Sequence, residues 1–321
     1  MNYKPIVIIN GEPNSIFLEI FFKALKKKYK SPIILISSLK LVNFYKKKFN
    51  FKKKLVLIDY KNINTKELNN NSINLIDVDF NFQKNIKKIS SKSNKFIKKS
   101  FEIGLSIINK GYTNKFINGP ISKKSFLNKK YPGITEYIAK KSRINKYAML
   151  IYNKKLSVCP LTTHLPLKMV SKQVSKKNIF DKVFLINNFF KKYRSIKPKI
   201  GILGLNPHCE STETFNEDDK ILKPSIKYLK KLGFKISGPY PADTIFLKKN
   251  RSKFDVIIGM YHDQVLTPMK TLFEYDAINI TLGLPFTRIS PDHGPNENMI
   301  GKDMSNPLSL IRAIEFLDKK N

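Results

Sequence analysis

Short runs of β-branched and aliphatic residues alternate with amphipathic stretches of helical period along most of this 321-residue chain. That alternation constrains the fold more than any other feature. Residues 5–9, 32–36, 55–58, 115–118, 148–152, 156–160, 199–204, 255–259 and 277–281 read as strands. Between them, residues 94–109 place Phe96, Ile97, Phe101, Leu105 and Ile108 on one side of a helix, and 178–190, 217–232 and 308–317 read as further helices. Strands separated by helices need crossover connections, which predicts an α/β protein with a largely parallel sheet. The length suits one large or two medium domains. Residues 62–94, rich in Asn, Lys and Ser, read as surface loops with a peripheral strand or two.

No apolar run is long enough to cross a bilayer, and residues 1–10 read as a first strand, too short an apolar run for a signal sequence. Two cysteines, Cys159 and Cys209, give no disulfide framework, which fits a reducing cytoplasm. The formal charge of +36 points by itself to nucleic acid or an anionic membrane. The basic residues are nearly all Lys, however. The five arginines are Arg143, Arg194, Arg251, Arg288 and Arg312, and bidentate or stacking readout of nucleic acid relies on Arg. Lysine spread over nearly every surface face reads as a solvated basic exterior that favours small anions, with no specific nucleic-acid or membrane partner.

The chain holds neither a G-x-G-x-x-G nor a G-x-x-x-x-G-K-[ST] loop. Its distinctive motifs begin at Gly119 and mostly follow expected strands, where an open α/β sheet places its ligands. All four histidines lie in such motifs: Thr163-His164-Leu165-Pro166, Asn206-Pro207-His208-Cys209, Tyr261-His262-Asp263-Gln264 and Asp292-His293-Gly294. His164, His208 and His262 each follow a strand by a few residues. They form either a metal site or three hydrogen-bonded loop imidazoles, and no local ligand spacing decides between the two. Thr163, Asn206, Asp263 and Gln264 stand beside them as possible partners that fix tautomer and orientation. Cys209 reads as a small residue at a tight turn. Lys270, Asn279 and Arg288 follow at short range as anion-binding candidates, the last with a planar donor fork. Asp243 is either the N-cap of a short helix or a carboxylate aimed into the site.

Read together, Asn118-Gly119-Pro120, Thr163-His164-Leu165-Pro166, Gly204-Leu205-Asn206-Pro207-His208, Gly238 through Thr244, Tyr261-His262-Asp263-Gln264, Asn279 through Pro285 and Arg288 through Gly294 resemble the 4-hydroxythreonine-4-phosphate dehydrogenase family of vitamin B6 synthesis. Gly11-Glu12-Pro13 and Gly301-Lys302 fit as well, so the resemblance spans essentially the whole chain. It implies two α/β/α subdomains of isocitrate/isopropylmalate-dehydrogenase type with a cleft between them. We expect residues 1–125 and 265–321 in the first subdomain and 126–264 in the second, approximately.

The resemblance further implies a homodimer with a shared active site. One divalent metal (Zn, Mg, Co or Mn) would be held by His164, His208 and His262. Thr135, Lys270, Asn279 and Arg288 fall on substrate-binding positions, Asp243 and Lys270 are the catalytic candidates, and Asp292, His293 and Gly294 resemble the loop around NAD or NADP. The implied reaction oxidises 4-phosphooxy-L-threonine and decarboxylates it to 3-amino-2-oxopropyl phosphate, for pyridoxine 5'-phosphate. Three segments depart from the family pattern. Ile134 replaces a histidine in Gly-His-Thr-Glu, Cys209 through Glu213 replaces a glycine-rich segment, and Pro295-Asn296 replaces Thr-Ala. The first keeps open a sibling dehydrogenase for another four-carbon phosphorylated hydroxy acid. A basic nucleic-acid-binding protein is the remaining alternative, supported by charge alone.

Overall fold

In the computed structural model of the chain, residues 3–82, 89–127, 131–211 and 214–320 are described. They form a mixed α/β protein, as the alternation predicted, in two compact units: Met1–Ile134 with Pro285–Asn321, and Thr135–Leu284. The first unit contributes β1 (Ile6–Ile9), β2 (Ile33–Ser37), β3 (Lys54–Leu57), β4 (Ser72–Asp77) and β5 (Lys115–Asn118). The second contributes β6 (Ala148–Tyr152), β7 (Ser157–Pro160), β8 (Ile200–Leu203), β9 (Ile236–Tyr240), β10 (Val256–Gly259) and β11 (Ile278–Leu282). The chain then returns to the first unit for β12 (Thr287–Pro291).

In the first unit the strands lie in the order β3-β4-β2-β1-β5-β12, all parallel. Every residue of β1 is buried, because a parallel sheet is covered on both faces by its crossover helices. Helix Asn94–Asn109 packs on β1, β2 and β5, while helix Leu308–Leu317 packs on β12, on β5 and on helix Phe17–Ala24. The buried stripe of Asn94–Asn109 runs through Phe96, Ile97, Phe101, Ile103 and Ile107, displaced from the expected Leu105 and Ile108. Gly104 lies on it because any Cβ there would strike the Phe116 ring on β5.

In the second unit the order is β11-β6-β7-β10-β8-β9. β7, β10, β8 and β9 are parallel, and β6 runs antiparallel to both of its neighbours. Met149, Ile151, Val158, Leu203, Ile257, Val265 and Met269 form the core there.

Three strands went unpredicted as defined elements. β4 lies within the segment expected to hold peripheral strands, second from the sheet edge, with Ile73, Leu75 and Ile76 buried. β9 is disguised by Ser237, Gly238 and Pro239, and β12 by its polar Thr287, Arg288 and Ser290. Helices Phe17–Ala24, Leu39–Lys48, Ile134–Lys141 and His262–Phe273 were also unpredicted. Residues 126–134 go with the first unit and 265–284 with the second, a shift from the expected boundaries. The cause is packing: helix His262–Phe273 lies against β7 and β10, and β11 pairs with β6. Residues 83–88, within the expected loop region, and Thr212 and Glu213, within the departing segment after His208, lie outside the described residues.

Candidate active site

The parallel register of β7 and β10 brings two of the histidines together. Cys159 stands opposite Ile258 and Pro160 opposite Gly259. The pairing continues past the strand ends, where Leu161 N–H donates to Gly259 O at 2.7 Å and Thr162 N–H to Met260 O at 3.2 Å. The Thr162 hydroxyl adds a bond to the same Met260 carbonyl at 2.8 Å. Two chains leaving the sheet side by side carry His164 and His262 out together, with ring centroids 5.7 Å apart and planes tilted by 40°. Both imidazoles are partly buried.

Each ring has an acidic neighbour. His262 Nδ1 lies 2.7 Å from Asp263 Oδ1, so Nδ1–H donates to the carboxylate and Nε2 is the nitrogen left to face a ligand. His164 Nδ1 lies 3.9 Å from Glu136 Oε2, and Glu136 Oε1 accepts from Thr163 Oγ1 at 3.1 Å. Glu136 went unassigned in the sequence, although it sits next to Thr135 in helix Ile134–Lys141. Of the four expected supporting residues, Asp263 holds an imidazole directly. Thr163 acts through Glu136. Gln264 instead stitches strand ends, accepting from Met260 N–H at 2.6 Å and donating to Gly204 O at 2.8 Å. Asn206 donates to Asp218 Oδ2 at 2.8 Å. The same buried Asp218 accepts from the Leu205 and Asn206 N–H groups, fixing the turn after β8.

His208 follows on that turn, exposed and at φ +55°, and Cys209 is buried beside it at φ +61°. Cys209 is thus the small turn residue expected. His208 does not join the other two imidazoles: among the described residues, no three His, Cys, Asp or Glu side chains form a group able to hold a metal ion. The donor chemistry of the His164–His262 pair suits a divalent transition metal, but the three-histidine set is not closed here.

Within the same unit Thr135 is buried on its helix. Lys270 is half-buried in the helix that begins at His262, about 12 Å further along the axis. Asn279 is on β11, with its side-chain Oδ1 buried and without a hydrogen-bond partner among the described residues. An orphaned buried acceptor of this kind is expected of a ligand-facing side chain. Asp243 is exposed in the first turn of the one-turn helix Ala242–Ile245. Pro241 occupies the N-cap position and no side-chain cap bond forms, which corrects the N-cap reading.

The remaining candidates lie in the first unit. Arg288 is fully buried on β12, and its Nε–H donates to Asn118 Oδ1 at 2.7 Å. Asp292 N–H donates to Ser309 Oγ at 2.8 Å, and His293 Nδ1 lies 3.0 Å from Gly294 O. From there to Ser305 the chain is pinned from beneath. Ile16 N–H donates to Pro295 O, and Lys48 Nζ to Gly301 O. Lys23 Nζ donates to Asp303 O and Ser305 O, and the buried Glu19 carboxylate accepts from Ser305 N–H at 2.7 Å. Glu12, three residues past the end of β1, is completely buried, with Oε1 taken by Ser93 Oγ at 2.7 Å and by Asn14 N–H at 3.3 Å. Burial pushes its carboxyl up to about 7, with Glu297 of the loop adding to the rise.

A family model described as "Pyridoxal phosphate biosynthetic protein PdxA" matches residues 28–317. The chain is 39% identical over 325 residues to the 4-hydroxythreonine-4-phosphate dehydrogenase of Sulfurihydrogenibium sp., covering 97% of this chain and 96% of that one. It is 34% identical over 187 residues to the D-threonate 4-phosphate dehydrogenase of Pectobacterium atrosepticum, covering 58% and 57% of the two chains. Among solved structures, 4-hydroxythreonine-4-phosphate dehydrogenase from Klebsiella pneumoniae superposes with a TM-score of 0.81 at 26% identity, covering 98% of both chains.

Proposed function

Since the chain belongs to the PdxA family of pyridoxal phosphate biosynthetic proteins, its role is that of a dehydrogenase in pyridoxine synthesis, and we propose that its substrate is 4-phosphooxy-L-threonine. In this reading the substrate is oxidised at C3, losing the hydroxyl proton and a hydride for which bound NAD or NADP would supply the acceptor. The resulting β-keto acid releases carbon dioxide, and the carbon left behind takes up a proton to give 3-amino-2-oxopropyl phosphate. The observation that carries the reading is the His164–His262 pair, delivered by adjacent parallel strands and backed by Glu136 and Asp263.

Arg288, with Lys270, Asn279 and Thr135, binds the anionic and polar ends of the substrate. Lys270, half-buried on the His262 helix, is the group assigned to the C3 proton, with the exposed Asp243 as second candidate. Asp292, His293 and Gly294 border the nicotinamide cofactor, on a loop whose backbone Ile16, Lys23 and Lys48 hold in place. His164 and His262 would hold a divalent transition metal such as Zn, Co or Mn, and His208, which does not stand with them in this structure, would have to approach the pair to serve as third ligand. Such an ion supplies Lewis-acid stabilisation of negative charge on the substrate oxygen. The working unit is a homodimer that shares its active site. Among the described residues, no helix is long and apolar enough to cross a membrane.

A second reading follows from Ile134, whose side chain cannot donate a hydrogen bond where the family pattern has histidine. A sibling enzyme acting on another four-carbon phosphorylated hydroxy acid fits it, and one relative carries the name D-threonate 4-phosphate dehydrogenase. Measuring NAD and NADP reduction by the metal-reconstituted protein on both substrates decides between them. Faster turnover of D-threonate 4-phosphate would replace the first reading.

A further inference from the structure

Asn118 ends β5 and opens the Asn118-Gly119-Pro120 turn, and it is 1% exposed. The strand register decides what it meets. β12 pairs with β5 in parallel, with Arg288 opposite Phe116. Side chains two apart on a strand share a face, so Asn118 lies on the Arg288 face, one diagonal step towards the carboxyl end. The arginine side chain spans that step, and its Nε–H donates to Asn118 Oδ1 at 2.7 Å with both residues sealed from solvent.

The other end of the amide is also tied, since Asn118 Nδ2 donates to the Gly119 carbonyl at 2.8 Å. That bond selects one of the two flip states. Asn118 cannot turn its NH2 group towards the cation without losing it. The turn beneath is itself fixed. Gly119 passes so close to Asn10 that any Cβ would run into the Asn10 carbonyl oxygen, and Glu12 N–H donates to Pro120 O at 2.8 Å. The acceptor offered to Arg288 therefore stands on backbone braced against β1.

A guanidinium carries its five donors in one plane. Fixing Nε sets that plane and with it the direction of the two terminal amino groups, the fork that grips a phosphate or carboxylate by two bonds. We propose that Asn118 is the positioning residue of Arg288, orienting its guanidinium for the anionic end of the substrate without touching the substrate itself. The proposal rests on the assignment of Arg288 to the substrate made above.

The test uses the full chain, with calorimetric affinities for 4-phosphooxy-L-threonine and inorganic phosphate, steady-state kinetics, and the Nε–H resonances of protein labelled with 15N-arginine. Five arginines keep that spectrum simple. In the wild type one Nε–H, absent from Arg288→Lys, exchanges slowly with solvent and shifts on adding either anion. Asn118→Ala makes that proton exchange rapidly and weakens binding of the phosphorylated substrate by about tenfold or more, as expected for a lost bond to a charged group. KM rises more than kcat falls. Should Asn118→Ala fail to fold, Asn118→Ser and the wild-type exchange rate carry the test. An Arg288 Nε–H that exchanges as fast as the other arginines overturns the proposal. So does a folded Asn118 variant with unchanged affinity where Arg288→Lys loses it. If Arg288→Lys itself binds both anions like the wild type, the assignment of Arg288 to substrate has failed and the proposal goes with it.

Discussion

The imidazoles of His164 and His262 face each other across 5.7 Å because the strands that deliver them, β7 and β10, run parallel and stay hydrogen-bonded beyond their ends. If the pair ligates a divalent ion, His164→Ala and His262→Ala each weaken Zn or Co binding by more than the roughly 10–100-fold that loss of a supporting residue costs. Equilibrium dialysis measures this without turnover. His208→Ala is expected to lower affinity as well. Unchanged binding in that variant would remove His208 from the ligand set.

Glu136 accepts from Thr163 Oγ1 and faces His164 Nδ1 at 3.9 Å. If this carboxylate helps to orient the imidazole, replacing it by alanine should lower kcat/KM by roughly 10–100-fold while the fold persists. Glu136→Gln keeps an oxygen for Thr163 and should lie between. Equal activity in all three proteins would show that Glu136 does not hold His164.

Glu12 makes stability depend on pH. Its carboxyl titrates at about 7 in the folded chain against an ordinary 4.5, because burial disfavours the charge. The folded state then carries more protons than the unfolded one between those values, so stability falls as pH rises through them. The loss is at most about 3 kcal/mol, and it is complete only above the folded value. Glu12→Gln carries no such charge. Urea unfolding should find the variant gaining on the wild type between about pH 5 and pH 8, and a pH-independent difference would contradict this.

Glu19 joins helix Phe17–Ala24 to the segment after Gly301 through Ser305 N–H and Lys23. Glu19→Ala leaves a buried N–H and part of an ion pair unmatched, at a cost of about 2 kcal/mol. Loosening the proposed cofactor loop should raise KM for NAD or NADP more than KM for the phosphorylated substrate. The opposite order would detach this loop from the cofactor.

The strands were legible because each is a short β-branched run, and residues 94–109 and 308–317 were legible as helices because their apolar spacing is regular. β4, β9 and β12 were not: β4 lies within an Asn-, Lys- and Ser-rich stretch, and Gly238, Pro239 and the buried Arg288 replace aliphatic residues in the other two. Helix His262–Phe273 was hidden by Pro268 and by its polar start, Asp263 and Gln264. In the site, the histidines announced themselves by scarcity and by following strands, and the adjacency of His164 and His262 is a consequence of sheet order. Glu136 and Asn118 carried no such signal. An acidic residue on a helix and an amide before glycine are common, and only the tertiary contacts reveal what they hold.

The most direct test follows reduced nicotinamide and carbon dioxide together, with the metal-reconstituted protein acting on 4-phosphooxy-L-threonine and, separately, on D-threonate 4-phosphate. The expected result is reduction of NAD or NADP on 4-phosphooxy-L-threonine, one carbon dioxide per hydride transferred, and loss of both in His262→Ala. Preference for D-threonate 4-phosphate, or no reduction with either substrate, would contradict it.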